Sequence, residues 1–246
     1  MKIEQDIISY LSGEKFRNNL VFKIDKQKQD DITRESAIIR LIRNKSVIHI
    51  GCSDHVPIID EKIRQNTWLH KLITEAASEC VGIDIDPESI KYIREKTGFN
   101  NVFQGDILND DLAVLKEKVR DYAVFGEIIE HLDNPVDFLQ KYKSNYGKFT
   151  RRFIITVPNV FNRMQFDNML AYKEIINSDH RFWFTPFTIS KVLMEGGFKP
   201  EEITFAGCQK LSVPELVKRK IKKTLGIQIS FPYYYFKNLV ISGTLD

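Results

Sequence analysis

The chain has 246 residues, 43% of them hydrophobic and 28% charged, which is enough to bury a full core in one α/β domain and leaves little room for a second complete one. Its three cysteines, Cys52, Cys80 and Cys208, are an odd number with no C-x-x-C pair, which speaks against a disulfide framework or a thiolate zinc site and for a reducing compartment. The formal net charge of +3 is local, because VKRKIKK gathers Lys218, Arg219, Lys220, Lys222 and Lys223 and the remainder is net acidic; most of the surface is therefore no polyanion binder.

The opening MKIEQDIISYLSGEKF is acidic and interrupted, and no apolar run reaches the roughly 18 residues of a membrane span. A cytoplasmic location is expected. Residues 1–45 read as a helical lead-in, with ITRESAIIRLIRN running directly into the first strand, SVIHIG. A helical stretch at about 58–78 leads to the second strand, CVGIDI. Asp86-Pro87-Glu88 then carries a start signal for a helix over 87–97, since Asp caps free N–H groups and Pro suits the first helical position. NVFQGDI is a third strand, 111–119 a helix, YAVFGEI a fourth strand, 135–146 a helix and RFIITVPN a fifth strand.

Beyond it the pattern changes. Residues 160–180 read as a polar connection, TPFTISKVLMEGGF as a helix ending at Gly196-Gly197, and ITFAGC and NLVISGTL as two late strands around a basic insertion of about 211–230, helical over 213–224. Strand and helix alternating at this spacing predict right-handed crossovers. The expected fold class is α/β: one domain over 46–246 with a doubly wound, mainly parallel, seven-stranded sheet.

In such sheets ligands bind beyond the carboxyl ends of the strands, where strand order reverses. Those ends read Gly51-Cys52-Ser53-Asp54-His55, Asp84-Ile85-Asp86, Gly105-Asp106-Ile107 and Glu127-Ile128-Ile129-Glu130-His131. Three successive ends thus carry a carboxylate. On these residues the stretch of about 45–205 resembles the class I S-adenosylmethionine-dependent methyltransferases, whose Rossmann-like fold the alternation matches. The resemblance implies S-adenosylmethionine as cofactor, held by the loop of Gly51, Cys52 and Ser53, by Asp84 with Ile85 at the ribose hydroxyls, by Asp106 with Ile107 at the adenine, and by Glu127. Carboxylates suit hydroxyl and amine donors because charge-assisted bonds are strong. One departure stands out: of the family's Gly-x-Gly-x-Gly only Gly51 remains, with Asp54 expected to tolerate left-handed geometry. A nicotinamide domain would need G-x-G-x-x-G, which is missing.

Transfer from a sulfonium chiefly requires alignment of nucleophile, methyl and sulfur, and a hydroxyl acceptor adds the need for a base. His131 is the leading candidate, His180 the second. Glu127, Glu130, His131 and His180 also resemble the E-x-x-E-H plus distant His set of small-RNA 3′-terminal 2′-O-methyltransferases, which bind a divalent cation. The same pattern occurs among metal-free relatives in the broad group, so no metal is expected, with Glu130 structural. Trp68-Leu69-His70-Lys71 resembles a segment in methyltransferases of bacterial cell-surface glycan gene clusters, implying a sugar, glycan or small hydroxylated metabolite as acceptor. The basic segment Lys218 to Lys223 offers peripheral contact with the inner membrane face; a nucleic-acid partner is not expected, and a non-catalytic binding module remains a third alternative.

Overall fold

The computed structural model describes residues 1–25, 32–208, 217, 220–222, 224–226 and 232–245. Of the cations in the basic segment, Lys218, Arg219 and Lys223 lie outside the described residues, as does most of the helix expected over 213–224.

Seven strands form one sheet: β1 Ser46–Ile50, β2 Glu79–Asp84, β3 Val102–Gln104, β4 Arg120–Gly126, β5 Thr150–Pro158, β6 Lys199–Cys208 and β7 Phe236–Thr244. Their order is β3-β2-β1-β4-β5-β7-β6. β1 to β5 pair in parallel, whereas β7 runs antiparallel between β5 and β6. The expected doubly wound, mainly parallel sheet is what the chain forms. Strand neighbours alternate between two layers of core: Ile48, Phe125 and Ile155 face one side, Val47, Val124 and Ile154 the other. Each such side chain contributes about 1.5–3 kcal/mol by burial, and covering both faces is why these strands read as continuous apolar runs.

Helices α1 Gln5–Leu11 and α2 Arg34–Ile42 precede the sheet. The Thr33 hydroxyl caps α2 by accepting from Ser36 N at 3.0 Å, and Ala37, Ile38 and Ile42 bury its inner face. Lys2 bridges to Glu202 of β6, so the first residues extend the sheet edge. The long helix expected over 58–78 is instead two, α3 Val56–Arg64 and α4 Leu69–Ala76. Asn66 adopts φ +55° between them, where the chain turns, and Trp68 just beyond it lies in the core, 1% exposed.

The helix from Pro87 is capped by Asp86, which accepts from Glu88 N at 3.0 Å. It is α5 Pro87–Tyr92, widening to a π turn, Ile93–Thr97, that ends at Gly98. The stretch 111–119 keeps only α6 Ala113–Lys116, while α7 Pro135–Tyr146 matches its expected bounds. The connection 160–180 is not all loop: Asn162 caps α8 Arg163–Leu170. Finally α9 Pro186–Glu195 starts with a capping box of Thr185 and Thr188. No helix among the described residues is long and apolar enough to cross a membrane.

Candidate active site

β2 lies on one side of β1 and β4 on the other, so the strand order reverses at β1 and a crevice opens beyond its carboxyl end. A cavity of about 760 Å³ occupies it, lined by Gly51, Cys52, Ser53, Asp84, Ile85 and Glu127 together with His131 and His180. The structure thus brings together eight of the residues singled out from sequence.

The first loop is shaped by two bonds, with Gly51 N and Cys52 N both donating to Ile83 O at 2.8 and 3.1 Å. Gly51 takes φ +66°, and a Cβ there would sit 2.7 Å from Ile128 Cδ1. Cys52 to His55 have no positive φ, so the backbone needs a glycine only at Gly51, and the loss of the other two leaves the turn intact. Asp54, expected to tolerate left-handed geometry, does not adopt it; its carboxylate pairs with Lys62. The Cys52 thiol is pushed well up by burial and stays protonated.

Asp84 is fixed in place by Ser53 N, 2.9 Å from Oδ2, and by Asp86 N, 3.1 Å from Oδ1. Each oxygen keeps acceptor capacity for a further donor, which fits vicinal hydroxyls entering the cavity. Asp106 and Ile107 are not brought in. The Asp106 carboxylate turns into its own loop, accepting from Leu108 N at 2.8 Å and Asn109 Nδ2 at 2.7 Å, and Ile107 belongs to the core. β3 still adjoins the site, because Gly105 N donates to Asp84 O at 2.8 Å.

On the opposite side, a 3-10 turn, Ile129–His131, follows β4. It sets the His131 ring edge-on to that of His180 with centroids 4.6 Å apart. Burial, and after it the neighbouring His131, lowers the His180 pKa. Glu130 is fully buried, and neither carboxylate oxygen has a partner; burial pushes its carboxyl up to about 8. Ligand atoms of Glu130, His131 and His180 lie within 4.8 Å of one another, a geometry with three donors for a cation. Glu127, the fourth member of the sequence set, points elsewhere: it has φ +57°, accepts from Asn238 Nδ2 at 2.7 Å and pairs with Arg34.

Arg34 and His49 also line the cavity, and the sequence reading missed both. Arg34 comes from the first turn of α2, where no motif marks it. Burial works against its charge, but Glu127 and Glu35 hold its guanidinium above the usual pKa. His49 sits inside β1, where a single histidine among aliphatic residues reads as core.

Residues 66–144 match the methyltransferase domain family. The fold is shared with an S-adenosylmethionine-dependent methyltransferase of Thermotoga maritima (16% identity, TM-score 0.54, covering 86% of this chain and 87% of that one). It is shared too with magnesium protoporphyrin IX methyltransferase of Synechocystis with bound S-adenosylhomocysteine (10%, 0.51, 86% and 82%). A small RNA methyltransferase is similar over 91% of this chain and 27% of its own length (14%, 0.55). At these identities the likeness concerns the fold. No curated protein sequence matches the chain. By its domain match over residues 66–144 and its fold the chain is similar to the S-adenosylmethionine-dependent methyltransferases, one of which holds S-adenosylhomocysteine.

Proposed function

We propose that the protein methylates a hydroxyl of a sugar, glycan or other small hydroxylated metabolite in the cytoplasm. The observation that carries this reading is the single cavity with two unlike sides. Asp84 and the Gly51 loop lie at one side, suited to a nucleoside, and the facing imidazoles of His131 and His180 at the other. When bound, S-adenosylmethionine supplies a methyl group activated by its sulfonium. Asp84 would then accept from the ribose hydroxyls, and the bare backbone at Gly51 would allow close approach. His180, its pKa lowered by burial, is neutral at pH 7 and available to take the proton of an acceptor hydroxyl, with His131 beside it. The buried cysteines Cys52 and Cys80, outside any disulfide, support a reducing compartment. The reading is tested by following S-adenosylhomocysteine release with a panel of nucleotide sugars, glycans and hydroxylated metabolites; turnover confined to amine acceptors would overturn it.

A second reading is favoured by the cluster of Glu130, His131 and His180, where a buried carboxylate has no partner. Those groups fit a divalent cation, which would hold vicinal hydroxyls such as those of an RNA 3′ end and lower the pKa of one of them. Glu127 does not join them, being tied to Arg34 and Asn238. Activity on RNA ends that chelator abolishes and metal restores would establish this alternative in place of the first.

A further inference from the structure

We propose that α8, the residues that follow it to Phe182 and the helical residues from Val217 to Leu225 form one docking surface for an anionic membrane, beside the mouth of the cavity. Of the 16 large apolar side chains exposed among the described residues, eight fall from Met164 to Phe182 and three are Val217, Ile221 and Leu225. Scattered singly, such side chains need no explanation, whereas a concentrated set marks an interaction surface.

α8 buries no side chain. Phe166, Met169 and Leu170 stand at i, i+3, i+4 spacing and so share one face, on which they are 42%, 61% and 76% exposed. Tyr172 follows with its ring almost wholly exposed; an apolar ring with a polar tip suits the boundary between membrane and water. Residues 163–182 hold three Lys or Arg and three Asp or Glu, so the attraction of this stretch is apolar and not ionic.

The basic stretch supplies the charge. Val217, Ile221 and Leu225 recur every fourth residue along one helical face, and Lys220 and Lys222 are exposed beside them. A cationic helix with an apolar face settles into the headgroup region of an anionic bilayer, where each signal alone holds weakly and the two add.

Both stretches stand at one end of the molecule. β7 starts at the carboxyl end of β5, with Asn238 opposite Pro158, and the Tyr233–Tyr235 turn before it shares a groove with Arg163 and Phe166 of α8. Gly226 precedes Pro232 by six residues, at most about 22 Å of chain. Asn177, Asp179 and His180, which continue from α8, line the cavity, so docking here brings the cavity mouth to the bilayer.

Co-sedimentation with phosphatidylcholine vesicles, with and without phosphatidylglycerol, tests the surface without any acceptor, so its outcome is separate from that of the proposed methylation. The protein is expected to bind the anionic vesicles at least tenfold tighter than the neutral ones, and to lose that preference in high salt. Met169→Ser with Leu170→Ser and, separately, Lys220→Glu with Lys222→Glu should each weaken binding at least fivefold. Val119→Ser, at an exposed apolar site outside the surface, should change nothing. Melting temperature should hold in all of these variants, because none of the side chains is buried. Absence of binding to anionic vesicles, or binding that survives either pair of substitutions, would overturn the proposal. So would self-association, in place of vesicle binding, that the Met169 and Leu170 pair abolishes, since the surface would then belong to a second copy of the chain.

Discussion

The imidazoles of His49 and His70 lie stacked beneath the cavity, with their Nδ1 atoms 3.2 Å apart and both rings shut off from solvent. One Nδ1 must donate and the other accept, so the pair holds together only while at least one ring is neutral. Burial lowers His49 well below its ordinary pKa and His70 to about 4. Both values fall below that of the unfolded chain, near 6.5, so the unfolded state takes up more protons as the pH drops. The stability contributed is complete above pH 6.5 and is lost as pH falls from there through 4. For His70 alone this amounts to roughly 3 kcal/mol. Urea unfolding at pH 7.5 and pH 5 should show the loss, and His70→Gln should shrink the difference between the two; a profile flat across that range would contradict the neutral pair.

Asp84 and Asp106 separate what the family resemblance treats alike. Asp84 opens onto the cavity, whereas Asp106 is not among its lining residues and its carboxylate accepts from Leu108 N and Asn109 Nδ2 within its own loop. Asp84→Ala is expected to weaken S-adenosylhomocysteine binding by about 1.5–3 kcal/mol, the value of hydrogen bonds to a charged group. Asp106→Ala should leave the dissociation constant within twofold. A large loss for Asp106→Ala would restore its expected role at the adenine.

The glycine loop makes its own prediction. Gly51→Ala places a methyl group 2.7 Å from Ile128 Cδ1 at φ +66°, costing about 1–2 kcal/mol for left-handed geometry alone, and should lower both the melting temperature and donor affinity. Ser53→Gly restores a family glycine where the backbone has no positive φ, so it should not tighten binding. A clear gain in affinity would show that the serine side chain, and not the turn, limits the site.

The parallel sheet was legible because its strands are buried on both faces and read as apolar runs between turn residues. The break at Asn66 was not, since φ +55° there is imposed by the burial of Trp68, a tertiary contact. Within the site, Gly51, Asp84 and His131 announced themselves by lying at or just after strand ends, and His180 as the distant His that completes the E-x-x-E-H set. Arg34 lies 93 residues before Glu127 in the sequence and meets it only through the packing of α2 on the sheet, so no spacing could have paired them. Glu127 shared its E-x-x-E-H spacing with Glu130, but its left-handed backbone sends its carboxylate to Arg34 and Asn238, away from the buried, unpartnered carboxylate of Glu130.

Glu130 decides between the two readings of the chemistry. Its carboxyl is raised by burial to about 8 against an ordinary 4.5, so at pH 7 it is largely protonated and resembles a glutamine in shape and charge. In the metal-free reading Glu130→Gln therefore keeps turnover within a few fold, and turnover is indifferent to chelator. The variant should also gain stability relative to the parent as pH rises, because a carboxyl whose folded pKa lies above the unfolded one is destabilised from about pH 4.5 to 8. A cation site predicts the reverse for activity: the carboxylate would be ionised and bound, and its loss would cost turnover by orders of magnitude. Turnover of the parent and of Glu130→Gln, each with and without chelator, together with their unfolding at pH 6 and pH 8.5, separates the two. Collapse of activity in the variant, with rescue by no acceptor, would sink the metal-free assignment.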